Sequence, residues 1–188
     1  MNYPPLYLRK NSERTVRNGH PWIFSGAVER RPKDADTGDI VDVFDSHERF
    51  VCRGFYNKRS LIRVRSLTQN ASSAIDQAFF EQRIAEAAEF RRGTGLSTVT
   101  NAMRLVHGES DGLPGLIVDD YAGYLVVQFH TAGMDKHRQT VLAALDTALS
   151  PMSIFERSDV GTRRAEGLKD RPTGLLAGTK PPEFVEIE

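Results

Sequence analysis

The chain has 188 residues, 39% apolar and 27% charged, which is ordinary for a folded protein and fits one medium domain or two small ones. That composition excludes extended disorder, no run approaches the roughly 18 apolar residues of a membrane span, and the start lacks the apolar core of a secretion signal. The formal charge of zero hides a division: residues 1–65 carry 13 Lys+Arg against 8 Asp+Glu, and the remainder carries 12 against 17. A basic front followed by an acidic back suggests two modules, the first suited to a polyanion. A cytoplasmic chain without a membrane partner is expected, and the single cysteine, Cys52, excludes an internal disulfide and a cysteine zinc site.

Residues 39–45, 49–56 and 61–67 are rich in Val, Ile and Phe and are separated by short polar turns, which predicts three sequential antiparallel strands. A small closed barrel is a natural outcome, since closure removes exposed edges. The period then changes. Ile75, Phe79, Phe80, Ile84, Ala87 and Ala88 form a helix stripe over 76–92, with Asp76 as N-cap and Gly93 and Gly95 as stop; it reads as a connector. Strands follow at 103–106, 116–119 and 124–129, then a helix over 136–149 ended by Pro151, then a strand at 153–157. This order describes a compact α+β unit. Residues 169–182 read as loop, and Phe184 to Glu188 as an alternating edge strand.

Cationic residues of the basic module carry the best functional signal. Alternation places Arg63 and Arg65 on one face of their strand, about 7 Å apart. The preceding turn adds Lys58 and Arg59, and Arg17 lies just before His20-Pro21-Trp22-Ile23-Phe24. Arg17, His20, Lys58, Arg59 and Arg65 are the candidate RNA-binding residues: the cations would meet phosphates and His20 would stack on an unpaired base. Trp22 and Phe24 are assigned to the core. Cys52 sits in an apolar strand with no activating base nearby in sequence and is read as inert packing. The five histidines show no metal-ligand spacing, so no metal is expected. Glu109 and Asp111 suit acid and base work, but Asp-Gly and Pro-Gly in the same segment favour a pair of tight turns. Arg157, Asp159, Arg163, Arg164 and Glu166 are read as an ion-pair network at a module boundary. No glycine-rich strand-to-helix fingerprint, phosphate loop or nucleophile elbow is found, so no catalytic residue is assigned.

Four segments in order, 19–28 (GHPWIFSGAV), 53–57 (RGFYN), 108–116 (GESDGLPGL) and 157–159 (RSD) with 166–168 (EGL), closely resemble the N-terminal part of bacterial S-adenosylmethionine-dependent methyltransferases that modify cytosine C5 of 23S rRNA. The resemblance implies a PUA-like pseudo-barrel for RNA over residues 1–70, a connector helix over 71–95, a small central α+β domain over 96–170, and a linker with a strand over 171–188. It also implies that a Rossmann-like catalytic domain is absent, that the chain is cut short at a domain boundary, and that it holds no cofactor, S-adenosylmethionine belonging to the full-length parent. The expected partner is RNA, by resemblance 23S rRNA, and no DNA. The rival expectation is an interaction module that forms a homodimer, with incidental RNA affinity.

Overall fold

The computed structural model describes residues 3–188, so the first two residues of the expected opening module lie outside it. Six strands form the first sheet: β1 (Pro5–Leu8), β2 (Trp22–Phe24), β3 (Val28–Arg30), β4 (Ile40–Phe44), β5 (Phe50–Tyr56) and β6 (Ile62–Thr68). Their order is β2-β6-β5-β4-β1-β3, with β1 parallel to β4 and every other pair antiparallel. A short helix α1 (Arg14–Arg17) links β1 to β2.

The chain length between the two outermost strands shows that this sheet is rolled. β2 ends at Phe24 and β3 begins at Val28, with one 3-10 turn between them, so their ends lie within about 14 Å. Six strands laid flat would hold those edges about 24 Å apart. The sheet therefore curls until its edges approach, and its interior fills with Leu6, Leu8, Val41, Val43, Cys52 and Val64, all sealed from water.

The second sheet has the order β11-β10-β9-β8-β7, from β7 (Ala102–His107), β8 (Leu116–Tyr121), β9 (Tyr124–Phe129), β10 (Ser153–Glu156) and β11 (Gly174–Gly178). Here β9 and β10 run parallel, joined through α3 (Ala132–Lys136) and α4 (Arg138–Leu149), while the other neighbours are antiparallel. Helix α2 (Gln77–Gly93) begins after Asp76, whose carboxylate accepts from the Phe79 amide at 3.1 Å. It is more than a connector. Phe80, Ile84 and Ala88 are fully buried in the same core as Val127, Phe129 and Leu145. A last helix, α5 (Thr162–Ala165), lies between β10 and β11.

The two units share apolar contacts. Ile40, Phe55 and Leu67 of the first sheet belong to the core of the second unit. Phe55 packs so closely on α3 that a Cβ at Gly133 would stand 2.0 Å from its ring, and the same ring stacks on His137 at 5.5 Å.

Three expectations are corrected. The compact α+β reading did not foresee a mixed sheet: β9, two helices and parallel β10 form a βαβ crossover, the unit from which Rossmann-like sheets are built, and the statement that such architecture is absent does not hold. Residues 184–188 form no strand, and the edge strand is instead β11 within the stretch read as loop. The helix expected over 136–149 is α4 (Arg138–Leu149), but a short helix not expected, α3 (Ala132–Lys136), precedes it, the two parted at His137 (φ −93°, ψ 14°). Among the described residues, no helix is long and apolar enough to cross a membrane.

Candidate nucleic-acid interface

A cleft of about 580 Å³ opens where the rolled sheet meets the second unit. Its walls include Trp22, Phe24, Leu61, Arg65, Glu109 and Glu166. Antiparallel pairing of β2 with β6 sets Trp22 opposite Arg65, so the aromatic ring and the guanidinium reach the cleft from neighbouring strands. Arg65 lies 5.4 Å from the centroid of the Trp22 ring. It donates to Glu109 at 2.6 Å and to Glu166 at 2.9 Å, both carboxylates belonging to the second unit.

Each carboxylate has a further donor from the first unit. The Trp22 indole N–H reaches Glu109 at 2.8 Å, and the Asn57 amide reaches Glu166 at 3.0 Å. The backbone N–H of Ala132, in the first turn of α3, also donates to Glu166 at 3.4 Å. Arg65 and Glu166 are largely buried, with side chains 14% and 8% exposed, so this cluster is a shielded buckle rather than a solvated pair. Behind it, fully buried Arg163 pairs with Asp135 at 3.0 Å and donates to the carbonyl oxygens of Phe129 and Lys169. Of the ion-pair network expected at the module boundary, only Arg163 and Glu166 take part, with Asp135 and Arg65 as partners; Arg157 pairs with Asp159 and Arg164 with Asp170 as exposed pairs outside it.

The mouth of the cleft is different in character. Phe24 is 49% exposed and Leu61 is 77% exposed, large apolar groups that the folded chain leaves in water. His20, Trp22 and Phe24 cluster with ring centroids 5.9 to 6.3 Å apart. The Trp22 amide donates to His20 Nδ1 at 3.1 Å, which fixes the imidazole beside the indole. Assignment of Trp22 and Phe24 to the core is therefore corrected: β2 is an edge strand, only Ile23 points inward, and its neighbours face the cleft.

The five candidate contacts do not converge on one patch of free charge. Arg17 pairs with buried Asp45 at 3.3 Å and donates to the Phe50 carbonyl at 3.2 Å. Exposed Lys58 pairs with Asp36 at 2.5 Å. Arg59, at the tip of the turn between β5 and β6, is exposed and has no ion pair among the described residues. Arg65 is committed to Glu109 and Glu166. Arg63, expected beside Arg65 on an open face, is instead buried and donates to the Asn57 carbonyl at 2.7 Å. Burial, followed by the nearby charge of Arg31, lowers its pKa.

Sequence reasoning missed Glu109 and Glu166 as cleft residues. Both lie in the segments that carried the resemblance, but nothing local tells which side chain from another unit they meet. Asp111, by contrast, is the turn residue expected: it accepts from the His107 amide at 2.6 Å and pairs with Arg91. Cys52 is buried inside the rolled sheet, and burial pushes its thiol up to about 12, so it offers no nucleophile. His130 borders the cleft, half-buried; burial and then Arg163 lower its pKa, which favours the neutral ring. No cluster of three metal-ligating side chains exists among the described residues.

Residues 6–69 match the family described as a PUA-like domain. The chain is 38% identical to ribosomal RNA large subunit methyltransferase I of Shigella flexneri over 183 residues, which is 97% of this chain and 46% of that protein. The same identity and coverage hold for the Escherichia coli O139:H28 protein of that name. The chain thus spans about half the length of these curated relatives. Among solved structures, it is similar to a methyltransferase complexed with SAH, with TM-score 0.77 and 15% identity, over 96% of this chain and 44% of that one. A SAM-dependent methyltransferase from Streptococcus mutans matches with TM-score 0.76 and 16% identity over the same shares.

These matches complete the correction begun with the mixed sheet. The solved structures share the fold of this chain through both units, the mixed five-stranded sheet included, and the expected absence of a Rossmann-like domain is overturned. The expectation of a chain cut short at a domain boundary rested on that absence and is withdrawn with it. The expectation that no cofactor belongs to the chain is overturned by the neighbour holding SAH. The Arg65 cleft itself does not fit such a group, because Glu109 and Glu166, the carboxylates that a ribose or an amino acid ammonium would need, are already taken by Arg65, Trp22 and Asn57. Residues 6–69 thus match the PUA-like domain family, within a chain similar over about half their length to ribosomal RNA large subunit methyltransferases.

Proposed function

We propose that this chain grips and positions the RNA substrate of a methyltransferase acting on large-subunit ribosomal RNA. In this reading the acceptor is cytosine C5 of 23S rRNA, and S-adenosylmethionine supplies the methyl group in the whole protein. Residues 1–70 hold the RNA, and the unit after them sets its angle to the reacting centre. The observation that carries the proposal is the half-exposed aromatic cluster of His20, Trp22 and Phe24 beside the cationic turn of Lys58 and Arg59.

An unpaired base stacks on Phe24 and His20, an arrangement worth about 1–3 kcal/mol per base. Arg59 meets a phosphate directly. Lys58 exchanges Asp36 for a phosphate at little cost, since both partners of that pair are exposed and such pairs are weak. Arg17, also partly exposed, would meet a phosphate only by loosening its pair with Asp45. Arg65 acts as a positioning residue: it holds Trp22 in the cleft wall and ties it to the second unit.

The test is binding of a single-stranded 23S rRNA fragment at several salt concentrations. Lys58→Ala and Arg59→Ala should each lower the log–log salt slope by about 0.7. Trp22 is the only tryptophan, so quenching of its emission reports arrival of RNA in the cleft. An unchanged slope in the double variant, with no quenching in the parent chain, would reject the proposal.

A rival reading has its own observation. An apolar groove of about 760 Å³, lined by Tyr121, Tyr124, Phe155, Pro181, Pro182 and Ile187, lies on the side of the second sheet that faces away from α2 and α4. Self-association through it predicts a tight dimer in sedimentation and no shift with RNA.

A further inference from the structure

We infer that the outer face of β3, β1, β4 and β5 is a stacking platform for single-stranded RNA, separate from the Arg65 cleft. One row of side chains crosses four neighbouring strands in register: Arg30 opposite Tyr7, Tyr7 opposite Phe44, and Phe44 opposite Phe50. Tyr7 and Phe44 stack at 5.6 Å with planes 29° apart, and Phe44 meets Phe50 edge-on at 6.1 Å. The Arg30 guanidinium carbon sits 3.8 Å from the Tyr7 centroid, with its side chain 61% exposed.

Packing does not require this row. The alternate positions on the same strands, Leu6, Leu8, Val41 and Val43, supply the core and are sealed from water, whereas Tyr7, Phe44 and Phe50 remain half-exposed. Outward positions of a small rolled sheet normally carry polar groups, whereas here three adjacent aromatic rings stay partly in water, flanked by the Arg30 and Arg53 guanidiniums. A groove of about 580 Å³ opens over the Arg30, Tyr7 and Phe44 part of the row and is also lined by Tyr3, Arg31 and Lys33.

Charge selects the occupant. Arg31 and Lys33 are exposed and have no ion pair among the described residues. Of the acids nearby, Asp42 is held by Arg53 through two hydrogen bonds of 2.6 and 3.0 Å, and Glu48 meets Arg30 only at 3.4 Å with both side chains exposed. Asp34 is the remaining acidic residue of the groove. Flat rings and a guanidinium plane suit bases, which stack on both, and flanking cations suit the phosphates between them. A row across three ring-bearing strands accommodates two to three bases, as aromatic sheet faces in RNA-binding modules do. Duplex RNA is excluded because its bases are not free to stack. Recognition is sequence-tolerant, since every base offers a ring face.

The probe is a single-stranded hexaribonucleotide containing 2-aminopurine, titrated into the whole chain, with base fluorescence and Trp22 emission read together. Tyr7→Leu should weaken the 2-aminopurine signal about tenfold in affinity while quenching of Trp22 by the longer 23S rRNA fragment persists. Phe24→Ala should do the reverse, so failure of the platform and failure of the cleft are told apart. Arg30→Ala/Arg31→Ala/Lys33→Ala alters only exposed positions and decides the matter if Tyr7→Leu fails to fold; it should also weaken hexamer binding and flatten its salt dependence. Unchanged hexamer affinity in this triple variant overturns the inference. So does a concentration-dependent dimer that Tyr7→Leu dissolves without any effect on RNA, which would assign the face to a second copy of the chain.

Discussion

Removing the Arg65 guanidinium tests how the two units are held together. Arg65→Ala leaves Glu109 and Glu166 facing one another in a cleft where their side chains are only 25% and 8% exposed. Breaking a buried ion pair by deleting one partner costs about 3–5 kcal/mol, because the remaining charge stays desolvated. Here part of that loss is offset. Glu109 keeps the Trp22 indole N–H, Glu166 keeps the Asn57 amide and the Ala132 N–H, and the partial exposure of Glu109 admits water. The expected destabilisation is about 2–4 kcal/mol, read from urea unfolding at constant m-value. Glu166→Gln in the same background should recover part of it, with a coupling of about 0.5–3 kcal/mol in the double-mutant cycle. Replacing all three groups by apolar residues of similar volume should cost less than Arg65→Ala alone. A single variant within 0.5 kcal/mol of the parent, or additive effects of Arg65→Ala and Glu166→Gln, would refute the view of this cluster as a shielded buckle.

Two further outcomes follow from the first sheet. Burial would raise the Asp45 carboxyl, but the amides of Arg49 and His47 and the Arg49 guanidinium outweigh it and hold the group at about 2. A lowered folded pKa means stability present above the unfolded value near 4 and lost as pH falls toward 2, so Asp45→Asn should flatten the acid limb of the stability curve in that window; an unchanged limb would contradict the assignment. Cys52, with its thiol pushed up to about 12, should resist a thiol reagent at neutral pH in the native chain and react at once in denaturant, and rapid native labelling would show that the rolled sheet opens.

Element type was legible wherever a single period ruled the segment. β9 coincides with its expected span because Leu125, Val127 and Phe129 alternate with half-exposed neighbours, and α2 starts where Asp76 caps it. Two segments misled. Helix α3 is a single turn and a half, too short to show a period, and β11 has too little alternation to mark it as a strand before β10 is there to pair with. Trp22 and Phe24 misled for a related reason: apolar residues at an edge strand read as core until the strand's position in the sheet is known.

By itself the sequence determined the basic and acidic halves, the strand and helix periods, the Asp111 turn and the inertness of Cys52, because these depend on composition or on neighbours a few residues away. Only the tertiary structure decided that β9 and β10 run parallel, that Arg65 is spent on Glu109 and Glu166, 44 and 101 positions later, and that Tyr7, Phe44 and Phe50 share one row. Strand direction, charge pairing and ring alignment depend on which distant segments meet. That is fixed by burying the apolar faces of both sheets together, a balance struck over the whole chain rather than within any one stretch of it.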